Sequence, residues 1–160
     1  MEKVIFRLNR KHIDVLSDID AESEHETDKE NLTTKKQYLE ELSKRFKINH
    51  ELFFGFKENG ILKGYVTIKP FFHGRGNCEL YWLAVRKKYQ KTGIGTRLTE
   101  FAEKISRQMG FRAIYLYTNK VMVKTRMFYE KRGYKLINEF PGYYDYPKNN
   151  TAVLYGKKIR

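Results

Sequence analysis

Two glycines, Gly93 and Gly95, separate an apolar run from a segment with helical periodicity. The first N–H groups of a helix have no partner inside the helix, and the helix dipole makes that end positive, so it attracts anions. Glycine has no Cβ atom and lets an anion approach the backbone closely. The pattern indicates a phosphate-binding loop or, as the alternative, a tight strand-to-helix turn without a ligand. The residues that would hold the anion are Gln90, Lys91, Thr92, Gly93, Ile94, Gly95 and Thr96.

Two common phosphate-binding patterns do not fit this sequence. Gly-x-x-x-x-Gly-Lys-Ser/Thr, the pattern of P-loop nucleotidases, does not occur in it. Gly-x-Gly-x-x-Gly fails at its third position, where Leu98 follows one glycine pair and Glu79 follows the other. A P-loop is therefore excluded, and a dinucleotide site of the Rossmann type is not indicated.

The segment Gln90-Lys91-Thr92-Gly93-Ile94-Gly95 resembles Gln/Arg-x-x-Gly-x-Gly/Ala, the pyrophosphate-binding loop of the GNAT superfamily of acyl-CoA-dependent N-acetyltransferases. Residues 127–134, MFYEKRGY, resemble the family's helix-end motif. The resemblance covers residues 50–135 well, and the strand order extends it over most of the chain. It implies acetyl-CoA as cofactor and transfer of its acetyl group, by direct attack on the thioester, to a primary amine of a polyamine, a small amine or a peptide or protein.

Glu79 is the candidate general base. Only about one alkylamine in a thousand is neutral at pH 7, so amine acetylation needs a proton acceptor. Alternation along the apolar strand would place Glu79, Tyr81, Leu83 and Val85 on one face, and apolar neighbours would raise the carboxyl pKa toward neutrality. The resemblance also puts the general base of several family members at this position. The alternative is a solvent-facing glutamate at the start of a strand.

The resemblance assigns further residues to the cofactor. Tyr129 matches the tyrosine that family members place near the CoA sulfur, where its hydroxyl can stabilise a developing thiolate. The alternative is a core tyrosine on an amphipathic helix. Backbone groups of Leu83, Ala84 and Val85 would bind the pantetheine arm where the next strand splays away. Asn119, at the end of a strand, is another cofactor-binding candidate.

The acceptor region is predicted from charge. Residues 14–30 hold eight carboxylates and one lysine, a net charge of −7, whereas the whole chain carries +13. In the family the segment between the first two helices borders the acceptor, so Glu22, Glu24 and Glu26 are candidates for attracting a cationic amine. Tyr81 and Tyr143 would add aromatic walls. A solvated acidic loop and simple surface packing are the alternatives.

The hydrophobic pattern predicts elements in the order β-α-α-β-β-β-α-β-α-β-β. This is an α/β fold of the GNAT type, with a mixed, mostly antiparallel sheet of about seven strands and helices on both faces. Thr34 and Gln37 form a capping box before the second helix, and Asn59-Gly60 is a hairpin turn. The predicted strands are 3–8, 51–57, 61–69, 78–85, 113–118, 134–140 and 151–157, and helical patterns cover 11–21, 34–46, 94–109 and 120–132.

Length and composition set the remaining expectations. The chain of 160 residues suggests one domain, 1–160, and its single cysteine, Cys78, fits a reducing compartment. No signal-peptide or membrane-span pattern appears, so we expect a cytoplasmic protein. The histidines and Cys78 show no metal-ligand spacing, and no metal site is predicted. Beyond the amine acceptor, a homodimer stays open as a partner.

The high positive charge supports a second reading, a basic nucleic-acid-binding domain. A basic row supplies its candidate contacts, although it does not follow one helical face and no zinc-finger or RNP pattern accompanies it. A third reading is a GNAT-like module that binds CoA without catalysis. The basic row comprises Lys120, Lys124, Arg126, Lys131 and Arg132.

Overall fold

A computed structural model describes residues 2–23, 33–70 and 72–160. The predicted element order is confirmed. The strands are β1 (Lys3–Arg7), β2 (Leu52–Glu58), β3 (Ile61–Pro70), β4 (Asn77–Val85), β5 (Ala113–Asn119), β6 (Lys135–Phe140) and β7 (Ala152–Lys158), and the α-helices are α1 (Ile13–Ser23), α2 (Lys35–Ile48), α3 (Ile94–Gln108) and α4 (Val123–Glu130).

One mixed sheet of seven strands organises the fold, in the order β1-β2-β3-β4-β5-β7-β6. Every neighbouring pair is antiparallel except β4 and β5. The parallel pair is short, because only Asn77–Glu79 of β4 register with Ala113–Tyr115 of β5. Beyond Glu79 the two strands separate, which opens a gap in the middle of the sheet.

Helices cover both faces of the sheet, as predicted. On one face Leu16 and Ile19 of α1 and Leu42 of α2 are fully buried against strand residues such as Phe53. On the other face α3 and α4 enclose the larger core. Each such buried aliphatic or aromatic side chain stabilises the fold by roughly 1.5–3 kcal/mol. The larger core includes Val66, Ile68, Leu80, Leu98, Ala102, Ile114 and Tyr155.

Two local signals in the sequence are confirmed. Thr34 Oγ1 accepts from Gln37 N at 3.2 Å while Gln37 Oε1 accepts from Thr34 N at 2.7 Å, which closes the capping box at the start of α2. Asn59 and Gly60 have φ angles of 50° and 78°, the positive values that a tight hairpin turn requires.

Helix α4 begins at Val123, later than the predicted Lys120. The delay comes from Asn119, whose side-chain oxygen accepts from Val121 N at 3.2 Å and whose main-chain oxygen accepts from Met122 N at 3.0 Å. These two bonds hold a turn between β5 and the helix.

Strand β4 contains a bulge at Tyr81. Thr67 of β3 pairs with Trp82 whereas Ile68 pairs with Leu80, so Tyr81 is an extra residue in β4. The bulge changes the phase of the strand. Before it, Cys78 and Leu80 pack on the α3 side; after it, Leu83 and Val85 do so, while Trp82 and Ala84 pack on the α1 and α2 side. The prediction that Leu83 and Val85 share a face with Glu79 is therefore wrong.

Candidate active site

The segment between β4 and α3 presents a group of free backbone donors. Lys91 and Gly93 have φ angles of 61° and 90°, and α3 begins at Ile94 with no side-chain cap. The first helical bond runs from Arg97 N to Gly93 O at 3.1 Å. Within the described residues, the N–H groups of residues 91–96 donate to no backbone carbonyl. This is the arrangement that binds an anion at a helix N-terminus.

The two glycines of the loop differ in their structural need. Gly93 has a positive φ and nothing within 4 Å of where a Cβ would lie, so its conformation requires glycine. A Cβ on Gly95 would meet the Phe128 ring of α4 at 3.5 Å, which is ordinary van der Waals contact. Packing inside the protein therefore does not account for Gly95, and its role beside an anion stays a prediction.

Side chains of the loop are partly used inside the protein. Gln90 Nε2 donates to Val85 O at 3.0 Å, and Thr92 Oγ1 donates to Tyr89 O at 2.5 Å. Thr96 Oγ1 accepts from Arg132 Nη2, which brings a guanidinium from the end of α4 to the first turn of α3. Gln90 and Thr92 thus shape the loop, and the backbone supplies most of its free donors.

The gap between β4 and β5 exposes backbone groups of β4. Arg86 N donates to Lys63 O of β3 at 2.8 Å, and backbone groups alternate in direction along a strand. Val85 and Leu83 therefore direct their N–H groups to the other edge, where β5 has separated. Ala84 directs its N–H toward β3, where it pairs with Tyr65. Of the three residues predicted to line the gap with their backbone, Leu83 and Val85 have the required direction.

Glu79 lies at the last residue pair before the strands separate. Its side chain is half-buried on the α1 and α2 face, and it makes no hydrogen bond or ion pair with the described residues. Burial raises the pKa of Glu79 from 4.5 to about 7, against the opposing effect of Lys69 and with support from the charge of Glu51. A carboxylate in this state can accept a proton near neutral pH.

Aromatic side chains line the space next to Glu79. Tyr117 stacks on Tyr143 with ring centroids 5.0 Å apart, and Phe72 meets Tyr117 at 5.9 Å. Burial, and then the negative charge of Glu79, raises the pKa of Tyr117. The predicted Tyr143 and Tyr81 are thus joined by Tyr117 and Phe72, which the sequence reading missed. Alternation along β5 could have shown Tyr117, since it puts that residue opposite the core-facing Leu116 and Thr118.

Tyr129 is a buried residue of α4. It is 5% exposed and contacts Phe128 and Tyr134 edge-on, with ring centroids 5.1 Å and 5.4 Å away. Among the described residues its hydroxyl has no hydrogen-bond partner. Burial raises the pKa of Tyr129 well above its ordinary value, while Arg132 acts in the opposite direction. The hydroxyl therefore keeps its proton and can act as a donor.

Asn119 is engaged inside the protein. It is 6% exposed, its Nδ2 donates to Asn149 O at 2.5 Å, and its Oδ1 accepts from Val121 N. These bonds give Asn119 a structural role at the turn before α4. Contact with a cofactor stays a prediction for this residue.

The described part of the acidic segment is largely paired with the protein itself. Lys35 Nζ contacts Asp14 and Asp18 at 3.2 Å and 2.8 Å, and Arg86 contacts Glu22 at 2.6 Å. Glu24 and Glu26 lie outside the described residues. The described carboxylates of this segment therefore give little support to an acidic surface that attracts cations.

A buried polar network underlies Tyr81. Asp20 Oδ1 accepts from Tyr65 Oη at 2.7 Å and from Trp82 Nε1 at 2.8 Å. Burial raises the pKa of Asp20 to about 6, although both hydrogen bonds lower it. Nearby, the Arg45 guanidinium lies 5.0 Å from the Tyr81 ring centroid and bonds the Glu51 carboxylate at 2.9 Å. No local sequence pattern predicts this network, because its members come from α1, α2, β3, β4 and the residue before β2.

The basic row predicted as a nucleic-acid contact is partly engaged in internal bonds. Lys120 pairs with Glu139 at 3.0 Å, and Arg126 donates to Tyr155 Oη at 3.0 Å. Arg132 donates to Phe128 O at 2.6 Å and lies over the Phe128 ring. These three side chains belong to the packing of α4, β6 and β7 rather than to an open basic stripe.

Metal clusters and membrane-spanning helices are both absent from the described ranges. No group of three or more His, Cys, Asp or Glu side chains within 2–23, 33–70 and 72–160 is placed to hold a metal ion. In the same ranges no helix has the length and apolarity needed to cross a membrane. Cys78 is fully buried in the core on the α3 side, where it packs as a small apolar residue.

Comparison with known proteins shows the family to which this fold and sequence belong. The sequence model of the acetyltransferase (GNAT) family matches residues 15–134. The chain therefore belongs to the GNAT family of acetyltransferases, for which acetyl-CoA is the acyl donor.

Individual relatives are more distant. Over 73 residues, the chain is 36% identical to probable N-acetyltransferase 14 of Xenopus tropicalis, a match that covers 46% of this chain and 35% of that protein. The chain thus spans about a third of the length of this curated relative. A probable acetyltransferase from Staphylococcus epidermidis has a similar fold, with a TM-score of 0.81 at 12% identity over 99% of this chain and 100% of the other. The PaiA N-acetyltransferase of Thermoplasma acidophilum, solved in complex with coenzyme A, gives a TM-score of 0.71 at 23% identity over 99% of both chains.

Proposed function

We propose that this protein transfers the acetyl group of acetyl-CoA to a primary amine by direct attack on the thioester. The observation that carries the proposal is the gap between β4 and β5. It opens at Glu79, exposes the backbone of Leu83 and Val85, and leads to the free donors at the start of α3. The gap therefore has a proton acceptor at one end and an anion-binding loop at the other.

The residues of the loop and the gap fit coenzyme A. Its diphosphate matches the free N–H groups of residues 91–96, and Gly93 and Gly95 leave that backbone open. Its pantetheine arm carries amide groups that match the backbone of Leu83 and Val85. When bound, the cofactor supplies an acetyl group activated as a thioester.

Glu79 is proposed as the general base. An ammonium acceptor must lose a proton before its nitrogen can attack, and a carboxylate with a pKa of about 7 is poised to take that proton at neutral pH. Its position on the α1 and α2 face, next to Tyr117 and Tyr143, supports an acceptor that binds on that face. Proton transfer occurs directly or through one water molecule.

Tyr129 is proposed to stabilise the sulfur that leaves. Its raised pKa makes complete proton transfer to a thiolate unfavourable, so a hydrogen bond from the hydroxyl is the better-supported contribution. Because the hydroxyl is not engaged by the described residues, it is available for this bond. Tyr129→Phe should slow the reaction without weakening CoA binding.

The experiment that tests the proposal has two parts. Titration calorimetry with coenzyme A asks whether the cofactor site exists, and thiol release with a panel of small amines, polyamines and peptides asks whether transfer occurs. Absence of binding at millimolar coenzyme A and low salt would overturn the proposal. Binding without thiol release from any amine would favour a non-catalytic CoA-binding module.

We also propose that the protein is located in the cytoplasm. The single cysteine of the chain is a buried thiol, which supports a reducing environment such as the cytoplasm. The proposed activity is compatible with a polyamine, a small amine or a peptide or protein amino group as acceptor.

A further inference from the structure

Lys69 and Glu79 carry opposite charges on neighbouring strands and do not bond each other. They are direct partners in the pairing of β3 with β4, so their side chains share the α1 and α2 face. Their charged atoms are more than 4.0 Å apart, since no ion pair forms between them. The Lys69 ammonium lies over the Tyr81 ring instead, 3.3 Å from its centroid.

Neither charge is neutralised by the described part of the protein. Two buried carboxylates close by are engaged: Asp20 with Tyr65 and Trp82, and Glu51 with Arg45. Glu79 and Lys69 differ in that neither has an ionic partner there. A carboxylate and an ammonium group, each without an ionic partner among the described residues, therefore face the same space.

The walls of this space are aromatic. Tyr81 lies beneath the Lys69 ammonium, and Tyr117 and Tyr143 lie close enough to Glu79 for its charge to act on their hydroxyls. Such walls suit a ligand with an apolar or aromatic body. A polyamine would bring a second positive charge toward Lys69, which repulsion disfavours.

We propose that Lys69 and Glu79 together select an acceptor that carries a carboxylate beside its amine, in the manner of a free amino acid with an apolar or aromatic side chain. Glu79 faces the amine and takes its proton, Lys69 pairs with the carboxylate, and the tyrosines contact the side chain. This inference rests on the proposed acetyl transfer and names the acceptor class for that same site.

The test compares phenylalanine with phenylalaninamide, which share a ring and an amine but differ in the carboxylate. The preference, the ratio of kcat/KM for the two acceptors, is measured by thiol release for the wild type, Lys69→Met, Lys69→Arg and the control Lys44→Met, at an exposed position of α2. Lys69 also affects the pKa of Glu79, so a substitution at Lys69 changes the strength of the general base. This change is the same for both acceptors, and the ratio of their kcat/KM values cancels it.

We expect Lys69→Met to lower the preference for phenylalanine at least tenfold, mainly by raising its KM, while Lys69→Arg and Lys44→Met keep it. The same ratio in the wild type and Lys69→Met would overturn the inference. So would a wild type that acetylates polyamines or peptides and ignores both test acceptors. If no amine at all supports thiol release, the proposed function itself fails, which is a separate result.

Discussion

Gln90 joins the anion-binding loop to the strand that lines the gap, because its side-chain amide donates to the main-chain oxygen of Val85 at 3.0 Å. Val85 directs its backbone toward the missing β5 neighbour, and Gln90 takes the place of that neighbour for one carbonyl. The N–H group of Val85 stays free for a ligand. The side chain of Gln90 thus fixes the geometry of both halves of the proposed cofactor site.

Replacing Gln90 by methionine should weaken coenzyme A binding. The variant removes the donor to Val85 O and keeps the side-chain length, and a hydrogen bond of this kind contributes about 1 kcal/mol, or roughly a fivefold change in Kd. Titration calorimetry measures the effect. Gln108→Met, at an exposed position near the other end of α3, is the control and should bind like the wild type. Equal affinities for all three proteins would contradict the role given to Gln90.

The two loop glycines should respond differently to alanine. Gly93→Ala forces a residue with a side chain to a φ of 90° and should lower the free energy of unfolding by about 1–2 kcal/mol. Gly95→Ala meets only ordinary contact with Phe128, so it should leave stability nearly unchanged and reduce coenzyme A affinity. Denaturant titration and calorimetry separate the two effects. A destabilised Gly95→Ala protein with full affinity would argue against ligand approach at that position.

Acetyl transfer should increase with pH through about 7. Glu79 must be ionised to accept a proton, and its pKa lies near that value because burial raises it. Glu79→Gln should lower kcat by about 10²–10⁴ and remove this step from the pH profile. Glu100→Gln, at an exposed position of α3, serves as the control. A profile with the same step in Glu79→Gln would show that another group titrates.

Stability should depend on pH through Asp20. Burial raises its pKa from 3.8 to about 6 in the folded state, so the folded state binds a proton that the unfolded state releases. This contribution to stability is complete below about pH 4 and is lost as the pH rises through about 6, a change of about 3 kcal/mol at 1.4 kcal/mol per pKa unit.

Asp20→Asn should remove that dependence. Denaturant unfolding of both proteins at pH 4 and pH 7.5 gives the difference directly, since the other titrating groups are common to both. The wild type should lose more free energy of unfolding between the two pH values than the variant does. An equal loss would show that Asp20 titrates normally.

Much of the fold could be predicted because its signals are local. The capping box at Thr34 and the hairpin at Asn59-Gly60 depend on a few neighbouring residues, and both form as expected. The start of α4 was misplaced because helical periodicity cannot show that Asn119 holds a turn with its own side chain.

The site was less predictable because it depends on distant parts of the chain. A bulge at Tyr81 follows from pairing between β3 and β4, and alternation within β4 alone assigned Leu83 and Val85 to the wrong face. Tyr117 approaches Tyr143 only through the order of β5, β7 and β6. The role proposed for Lys69 could not be predicted from the sequence, since a lysine near the end of a strand is ordinarily exposed to solvent.

The extra residue at Tyr81 divides strand β4 into two parts, each next to a different reactant of the proposed reaction. In the proposed site, Glu79 lies upstream of it and would contact the acceptor through a side chain. Leu83 and Val85 lie downstream and would contact the donor through main-chain atoms, which every amino acid possesses. If these roles hold, mutation before that point would change the acceptor while binding of the donor is preserved. Such a scaffold is free to acquire new acceptors during evolution without losing its acyl donor.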